Sequence, residues 1–416
     1  MERRAGIVRI VYLHQYFTTP GMSGGTRSYE MARRLVQWGH DVHMVTSLRS
    51  GAGRGWACTV VRGIQVHWCP VAYSSHMGFN RRIRAFLQFS ALAAERTARL
   101  PADVVFATST PLTIALPAVY AAARRGIPMV FEVRDLWPET PIAVGALRGR
   151  AAIAAARWLE RFAYSHADRV VALSPDMKAG VVRAGYPAER VTVIPNGCDL
   201  ELFRVSQEAG RRFRGRFEWL GQRPLVVYAG ALGIVNGVDY LARVAAAAWR
   251  INPEIRFLVV GDGCQRERVR REAEDGAVLG RNFFMLPPMA KSRIPAVFSA
   301  ADIATSTVID RRALWANSAN KVFDALAAGR PVAINHEGWL AELIRQTGCG
   351  LVLDPHDIEG AARSLARALS DRRWMAAAGR AARRVAEERF DRDRLARRLE
   401  SVLMDVVTPA LRRKAA

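Results

Sequence analysis

Residues 7–47 read IVRIVYLHQYFTTPGMSGGTRSYEMARRLVQWGHDVHMVTS, and their pattern decides the fold class. Ile7 to Leu13 is a short apolar run of the buried-strand type. A polar, glycine-bearing loop follows, then an amphipathic helix with Tyr29, Met31, Ala32 and Leu35 on its inward side, a turn and a second apolar run. This is a β-loop-α-β unit, the building block of parallel sheets. Gly24 and Gly25 let the backbone approach a ligand closely just before the helix, although a tight turn alone would also ask for glycine. The spacing is not G-x-G-x-x-G, so a nicotinamide cofactor is not indicated.

The same alternation continues along the chain. GIQVHWCPV, ADVVFATS, PMVFEVRDLWPE, DRVVALSP and VTVIPNGCDLELF supply further strands, separated by helical stretches. From Ser206 to Arg223 the text turns polar and arginine-rich and reads as a linker. The pattern then restarts with PLVVYAGALG, RFLVVGDG, NFFMLPP, IATSTV and GLVLDPHD as strands, each followed by a helical segment. Two Rossmann-like α/β domains with doubly wound parallel sheets are expected, facing one another across a cleft in the simplest arrangement. Their expected bounds are 1–205 and 224–390, with 206–223 between them. A helical segment at 391–416 is expected to pack back on the first domain.

Composition bounds the function. A chain of 416 residues exceeds one ordinary core, and half-hydrophobic, quarter-charged text describes a globular protein. Met1 to Arg4 leads straight into a strand, so no leader is expected, and the apolar region from Val104 to Ala123 is too interrupted to span a membrane. Five scattered cysteines without a C-x-x-C pair fit a reducing cytoplasm and argue against structural zinc. The formal net charge of +23 fits nucleic-acid binding, docking on anionic lipid, or the arginine and alanine bias of a GC-rich genome; no nucleic-acid module accompanies it. The basic helix from Arg81 to Leu100 suits either a core-facing helix with a charged outer side or one resting on lipid.

Two stretches carry candidate chemistry. In PMVFEVRDLWPE, Glu132, Arg134 and Asp135 fall at a strand's C-terminal end, where open α/β sheets bind ligands. In WANSANKVFDALAAGRPVAINHEGWLAE, Trp315 to Glu342, a capping side chain at Ser318, then Asn320 and Lys321, open a helix, and Asp324 sits one turn in. Free N–H groups and the positive dipole end make such a start a seat for phosphate, with the carboxylate placed for ribose hydroxyls. A capped and solvated helix start is the plain alternative.

Taken together, GMSGGTRSYEMARRLVQWGHDVHMVT, FEVRDLWPE, VIPNGCDLELF, YAGALGIVNGVDYL, FLVVGDG, SANKVFDALAAGRPV and GLVLDP resemble, in order and spacing, the GT-B glycosyltransferases of the large retaining family 4. The branch they look most like transfers amino sugars such as N-acetylfucosamine in bacterial O-antigen or capsule assembly, often onto lipid-linked acceptors. The resemblance implies a nucleotide-diphosphate sugar donor, UDP-linked and N-acetylated, without metal or other cofactor. It implies that Gly24 and Gly25 face donor diphosphate and acceptor, that Asn320, Lys321 and Lys291 hold the diphosphate, and that Asp324 holds the ribose.

Departures accompany the matches. The family's two acidic residues eight positions apart become Ala316 and Asp324, and Asn236 stands in the turn where a lysine is common. Arg134 replaces a frequent histidine, which leaves Glu132 or Asp135 to orient or deprotonate the acceptor hydroxyl and Arg134 to meet substrate charge. The enzyme is expected in the cytoplasm, peripheral on the inner face of the membrane, with a lipid-linked saccharide acceptor and contact to anionic lipid. A nucleotide-sugar epimerase of the same architecture and a non-catalytic basic protein binding lipid or nucleic acid are the competing readings.

Overall fold

The computed structural model describes residues 6–22, 24–48, 55–73, 77–204 and 206–415; Met1 to Arg4, on which the no-leader expectation rests, lie outside the described residues. The chain forms two compact units. The first contains Gly24–Pro195 and Asp393–Ala416, and the second is built on Asn196–Arg392.

The first unit holds strands β1 (Arg9–Leu13), β2 (Asp41–Ser47), β3 (Ala57–Val61), β4 (Ile64–Cys69), β5 (Val104–Thr108), β6 (Met129–Val133), β7 (Arg169–Ala172) and β8 (Val191–Val193). They lie in the order β3-β4-β2-β1-β5-β6-β7-β8, all parallel except β3, which pairs antiparallel with β4. Every residue of β5 and β6 is buried, which is why their text does not alternate apolar with polar; Glu132 is the one charge among these ten positions. The β3–β4 hairpin was not expected from the sequence. Its turn places Arg62 and Gly63 at φ 51° and 83°, and β3 is a mostly exposed edge strand of five residues.

The second unit holds β9 (Leu225–Ala229), β10 (Arg256–Val260), β11 (Phe283–Leu286), β12 (Ile303–Ser306), β13 (Val332–Ile334) and β14 (Gly350–Val352). Their order is β11-β10-β9-β12-β13-β14, and all pairs are parallel. Strand order reverses between β1 and β5 in the first unit and between β9 and β12 in the second, so each sheet has one switch point where diverging loops leave a crevice.

The stretch 206–223, read as a linker, instead contains the helix Gln207–Arg214. Its Gly210 lies against the backbone of Ser299, where a Cβ would come within 2.6 Å, and Arg214 pairs with Asp302 at 2.9 Å. High arginine content hid a helix whose charged side faces solvent and whose Phe213 is core. The last helix, Arg392–Ala415, places Leu395, Leu399, Leu403 and Val407 in the same cluster as Val8, Ile10 and Leu35 of the first unit. His40 Nε2 lies 3.0 Å from Glu400 Oε1, and Arg34 pairs with Asp393.

Candidate functional site

The loops after β1, β5 and β6 converge at the first unit's switch point. Glu132, the fourth residue of β6, is fully buried and ion-paired with Arg27 at 2.8 Å. Arg27 also donates to the carbonyls of Pro195 (2.6 Å) and Ile194 (2.9 Å), and Thr108 Oγ1 donates to Glu132 Oε2 at 2.7 Å. Burial alone would raise the Glu132 carboxyl, but the charge and hydrogen bonds of Arg27, with help from Arg134 and Thr108, hold it below its ordinary value. A carboxylate with both oxygens engaged and its basicity reduced is a poor proton acceptor. Glu132 therefore ties the start of helix Arg27–Gln37 to β6, and of the two carboxylates expected to orient or deprotonate the acceptor this pairing favours Asp135.

Asp135 is placed differently. It is half-buried and accepts from Thr110 Oγ1 at 3.0 Å. Burial pushes its carboxyl above the usual value, with Thr110 and the Arg134 charge pulling the other way, so it is the stronger base of the pair. Thr110 sits at φ 81°, a conformation costly for a β-branched residue, and this presents its hydroxyl to Asp135. Arg134 is fixed through its N–H on Ser109 Oγ (2.9 Å), and its Nη1 lies 3.1 Å from His14 Nε2. A guanidinium only donates, so the His14 ring accepts through Nε2. Gly24 and Gly25 are exposed ahead of this group; Gly24 has φ 135°, and the Gly25 carbonyl accepts from Thr18 Oγ1 at 2.8 Å.

In the second unit the helix Asn320–Ala327 begins beyond β12. Its N-cap is Ala319, which supplies no side-chain hydrogen bond. Ser318, expected as the cap, is drawn away: its Oγ accepts from Asn196 N at 3.2 Å and its carbonyl from Asn196 Nδ2 at 2.5 Å. The first N–H groups of the helix thus have no capping side chain, and Asn320 and Lys321 stand in that first turn. The Lys321 ammonium lies 4.9 Å from the ring centroid of Tyr228. A Cβ on Gly230 would come within 2.6 Å of Lys321 Cε, so glycine at the end of β9 makes room for this side chain. Gly261, after β10, carries φ 156° and packs its backbone onto the Gly230 carbonyl, where a Cβ would fall at 1.9 Å.

Burial lowers the Lys321 ammonium to about 8, with the charge of Asp324 pulling upward. Asp324 is buried and paired through Oδ2 with Lys291, whose ammonium lies 5.0 Å from the ring centroid of Phe203; Oδ1 is buried without a hydrogen-bond partner among the described residues. Lys321, Asp324 and Lys291 are therefore brought together. Asn236 is engaged otherwise, since its Oδ1 accepts from Gly233 N at 3.2 Å and closes a short helical turn after β9. Ala316 is buried.

Sequence reading missed Arg27, His14, Thr110 and Gly230. Only the position of Arg27 directly after the glycine loop hints at its role, because its partner lies 105 residues away. Replacing Arg27 by Met leaves Glu132 charged and unpaired in the core, and should cost about 3–5 kcal/mol in denaturant unfolding. The double variant Arg27→Met, Glu132→Gln should recover part of that loss.

Comparison with known proteins bears on what these crevices serve. Residues 24–197 match the glycosyl transferase 4-like domain, and residues 211–385 match glycosyl transferases group 1. A probable glycosyltransferase of Pseudomonas aeruginosa, WbjE, is 27% identical over 290 residues, covering 69% of this chain and 70% of that protein. The GDP-mannose-dependent α-(1-6)-phosphatidylinositol monomannoside mannosyltransferase of Mycobacterium tuberculosis is 27% identical over 303 residues, 72% of this chain and 75% of that one. Among solved structures, Anabaena HepE in complex with UDP-glucose shares the fold at TM-score 0.70 and 18% identity, over 96% of this chain and 100% of that chain. Two domain matches that together span most of the chain, relatives that are glycosyltransferases and a shared two-domain fold identify this chain as a GT-B glycosyltransferase of group 1 with a glycosyl transferase 4-like first domain.

Proposed function

We propose that this glycosyltransferase moves a sugar, with retention of configuration and without a metal, from a nucleoside-diphosphate donor to a hydroxyl of a lipid-linked saccharide. The observation that carries the donor half is the Lys321 group: a desolvated ammonium at an uncapped helix start, beside a buried carboxylate with one unpartnered oxygen. A diphosphate satisfies the cation and the helix N–H groups, and a ribose hydroxyl satisfies Asp324 Oδ1. The M. tuberculosis relative uses GDP-mannose and the Anabaena structure holds UDP-glucose, and what the two donors share is the diphosphate that Lys321 addresses. We take the donor here as a UDP-linked, N-acetylated amino sugar, on the likeness of FEVRDLWPE and SANKVFDALAAGRPV to the amino-sugar branch. The phosphatidylinositol monomannoside of the same relative's name is a lipid-linked saccharide, in keeping with an acceptor of that class and with a role in O-antigen or capsule assembly.

In the reaction the bond from the anomeric carbon to the diphosphate breaks and its electron pair leaves with the diphosphate. The acceptor oxygen bonds to the same face of that carbon and gives up its proton. Lys321, Lys291, Asn320 and the helix N–H groups offset the charge developing on the leaving group, and Asp135 is the carboxylate we assign to the acceptor hydroxyl, with Arg134 meeting acceptor charge. Gly24 and Gly25 leave room for the acceptor. Asn236, held by Gly233, contributes its turn rather than a charge.

Replacing Lys321 by Ala should lower kcat for sugar transfer by on the order of a hundredfold, as loss of one preorganised donor does elsewhere. Unchanged turnover by that variant, with unchanged unfolding, removes the diphosphate assignment. UDP affinity should also depend on pH. Lys321 binds anions as a cation, so affinity should be full below about 8 and fall by about tenfold per unit above it. The sign for stability is opposite: the native state disfavours the charged lysine, so the cost of charging it is present below about 8 and disappears as pH rises toward the ordinary 10.5. Calorimetric titration of UDP from pH 7 to 9 checks the binding arm, and Lys321→Gln should flatten it.

A further inference from the structure

The first unit carries an outer face that its own fold leaves unused. The helices Phe79–Arg99, Ala115–Arg125 and Arg150–Ser165 pack side by side, the second touching each of the others. Phe86, Phe89 and Ala93 of the first helix turn inward and are buried, whereas Leu87 is 53% exposed. Tyr120 on the middle helix is 49% exposed, and Trp158 on the third is 58% exposed. Trp158 is stacked on Phe162 one turn on, at 5.3 Å between ring centroids, so the indole is held outward instead of folding onto the helix. Exposed alanines 151, 152, 154 and 155 precede it and keep that side of the helix low.

Charge on these helices is mostly of one sign. The three helices carry ten arginines against two glutamates. Of the two acids, Glu95 pairs with Arg99 at 2.5 Å, and Glu160 is buried and hydrogen-bonded to Tyr164. Arg84, Arg150, Arg157 and Arg161 are exposed among the apolar side chains. An exposed aromatic set among cations, with the acids paired or turned inward, matches the chemistry of an anionic bilayer surface: indole and phenol rings at the headgroup level, guanidinium groups on lipid phosphate. No described helix is long and apolar enough to cross a membrane, so the contact would lie in the interface plane.

We infer that the joint outer face of these three helices, anchored by Trp158, is a docking surface for anionic lipid bilayers. This places the lipid contact on more than the single basic helix expected from the sequence, and gives it an apolar anchor that lies on another element. It deepens the proposal of a lipid-linked acceptor and rests on that reading for its biological sense, since docking would bring the first unit to the surface where such an acceptor resides.

The test uses flotation of the full chain with phosphatidylcholine vesicles and with vesicles containing phosphatidylglycerol, with neither donor nor acceptor present. Binding should require phosphatidylglycerol and weaken as salt is raised. Trp158→Ser should weaken the partition by on the order of tenfold, and Arg157→Ser with Arg161→Ser by about fivefold per arginine. All three positions are exposed, so thermal unfolding of these variants should match the parent. A parent protein that stays unbound at low salt, equal binding to neutral vesicles, variants that float like the parent, or a preference for double-stranded DNA over the vesicles would each overturn the inference. UDP binding is followed in the same samples: loss of vesicle binding with UDP binding intact sinks only the docking surface, and the reverse sinks only the donor assignment.

Discussion

A lysine ammonium held 4.9 Å from the Tyr228 ring at the start of a helix, with no carboxylate within ion-pair distance among the described residues, is the constraint on which the second unit's strand-end loops depend. Desolvating a cation costs free energy, which is why its protonation weakens to about 8. The surrounding backbone is shaped to keep it there. Gly230 clears its path, Gly261 lets the loop after β10 press on Gly230, and Ser318 is occupied by Asn196 instead of capping the helix. Asp324, the nearest opposite charge, is committed through one oxygen to Lys291. The result is a set of donors and one acceptor oxygen whose needs a diphosphate and a ribose would meet together.

The first unit follows the opposite rule for its deepest charges. Arg27 and Glu132 satisfy each other, two carbonyls and a threonine hydroxyl, and nothing remains for a substrate. The acceptor role we propose belongs instead to the half-buried pair just beyond. Arg134 rests on Ser109 and His14, while Asp135 is raised by burial and held by a threonine in a costly conformation. Degree of satisfaction thus separates the charge that holds the fold from those we propose meet substrate, although all three of Glu132, Arg134 and Asp135 share one strand end.

The parallel architecture was legible because its signals are local. Buried strands such as β5 and β9 read as apolar runs, and strand-to-helix alternation restarts once, giving two sheets. The last helix shows its inward stripe in Leu395, Leu399 and Leu403. Illegible features depended on partners distant in sequence. The diversion of Ser318 by Asn196 and the space Gly230 leaves for Lys321 leave no trace in spacing or composition, and the pairing of Arg27 with Glu132 leaves only the place of Arg27 after the glycine loop. Helix Gln207–Arg214 and strand β3 were hidden for other reasons: the helix has charged, arginine-rich text, and β3 is an exposed edge strand defined by its antiparallel pairing with β4. In the candidate site the residue types were visible, and which of them are paired within the fold was not.

Whether the second unit binds nucleoside diphosphate decides the donor assignment most directly. Thermal unfolding of the full chain in rising concentrations of UDP and, separately, GDP measures this without assuming a sugar or an acceptor, because a ligand of the folded state raises its midpoint in proportion to the logarithm of its concentration. A diphosphate seat at Lys321 gives a concentration-dependent rise with nucleoside diphosphate, larger with UDP, and a much smaller one with uridine, which lacks the phosphates. A midpoint that moves with neither diphosphate, or equally with uridine, would contradict it.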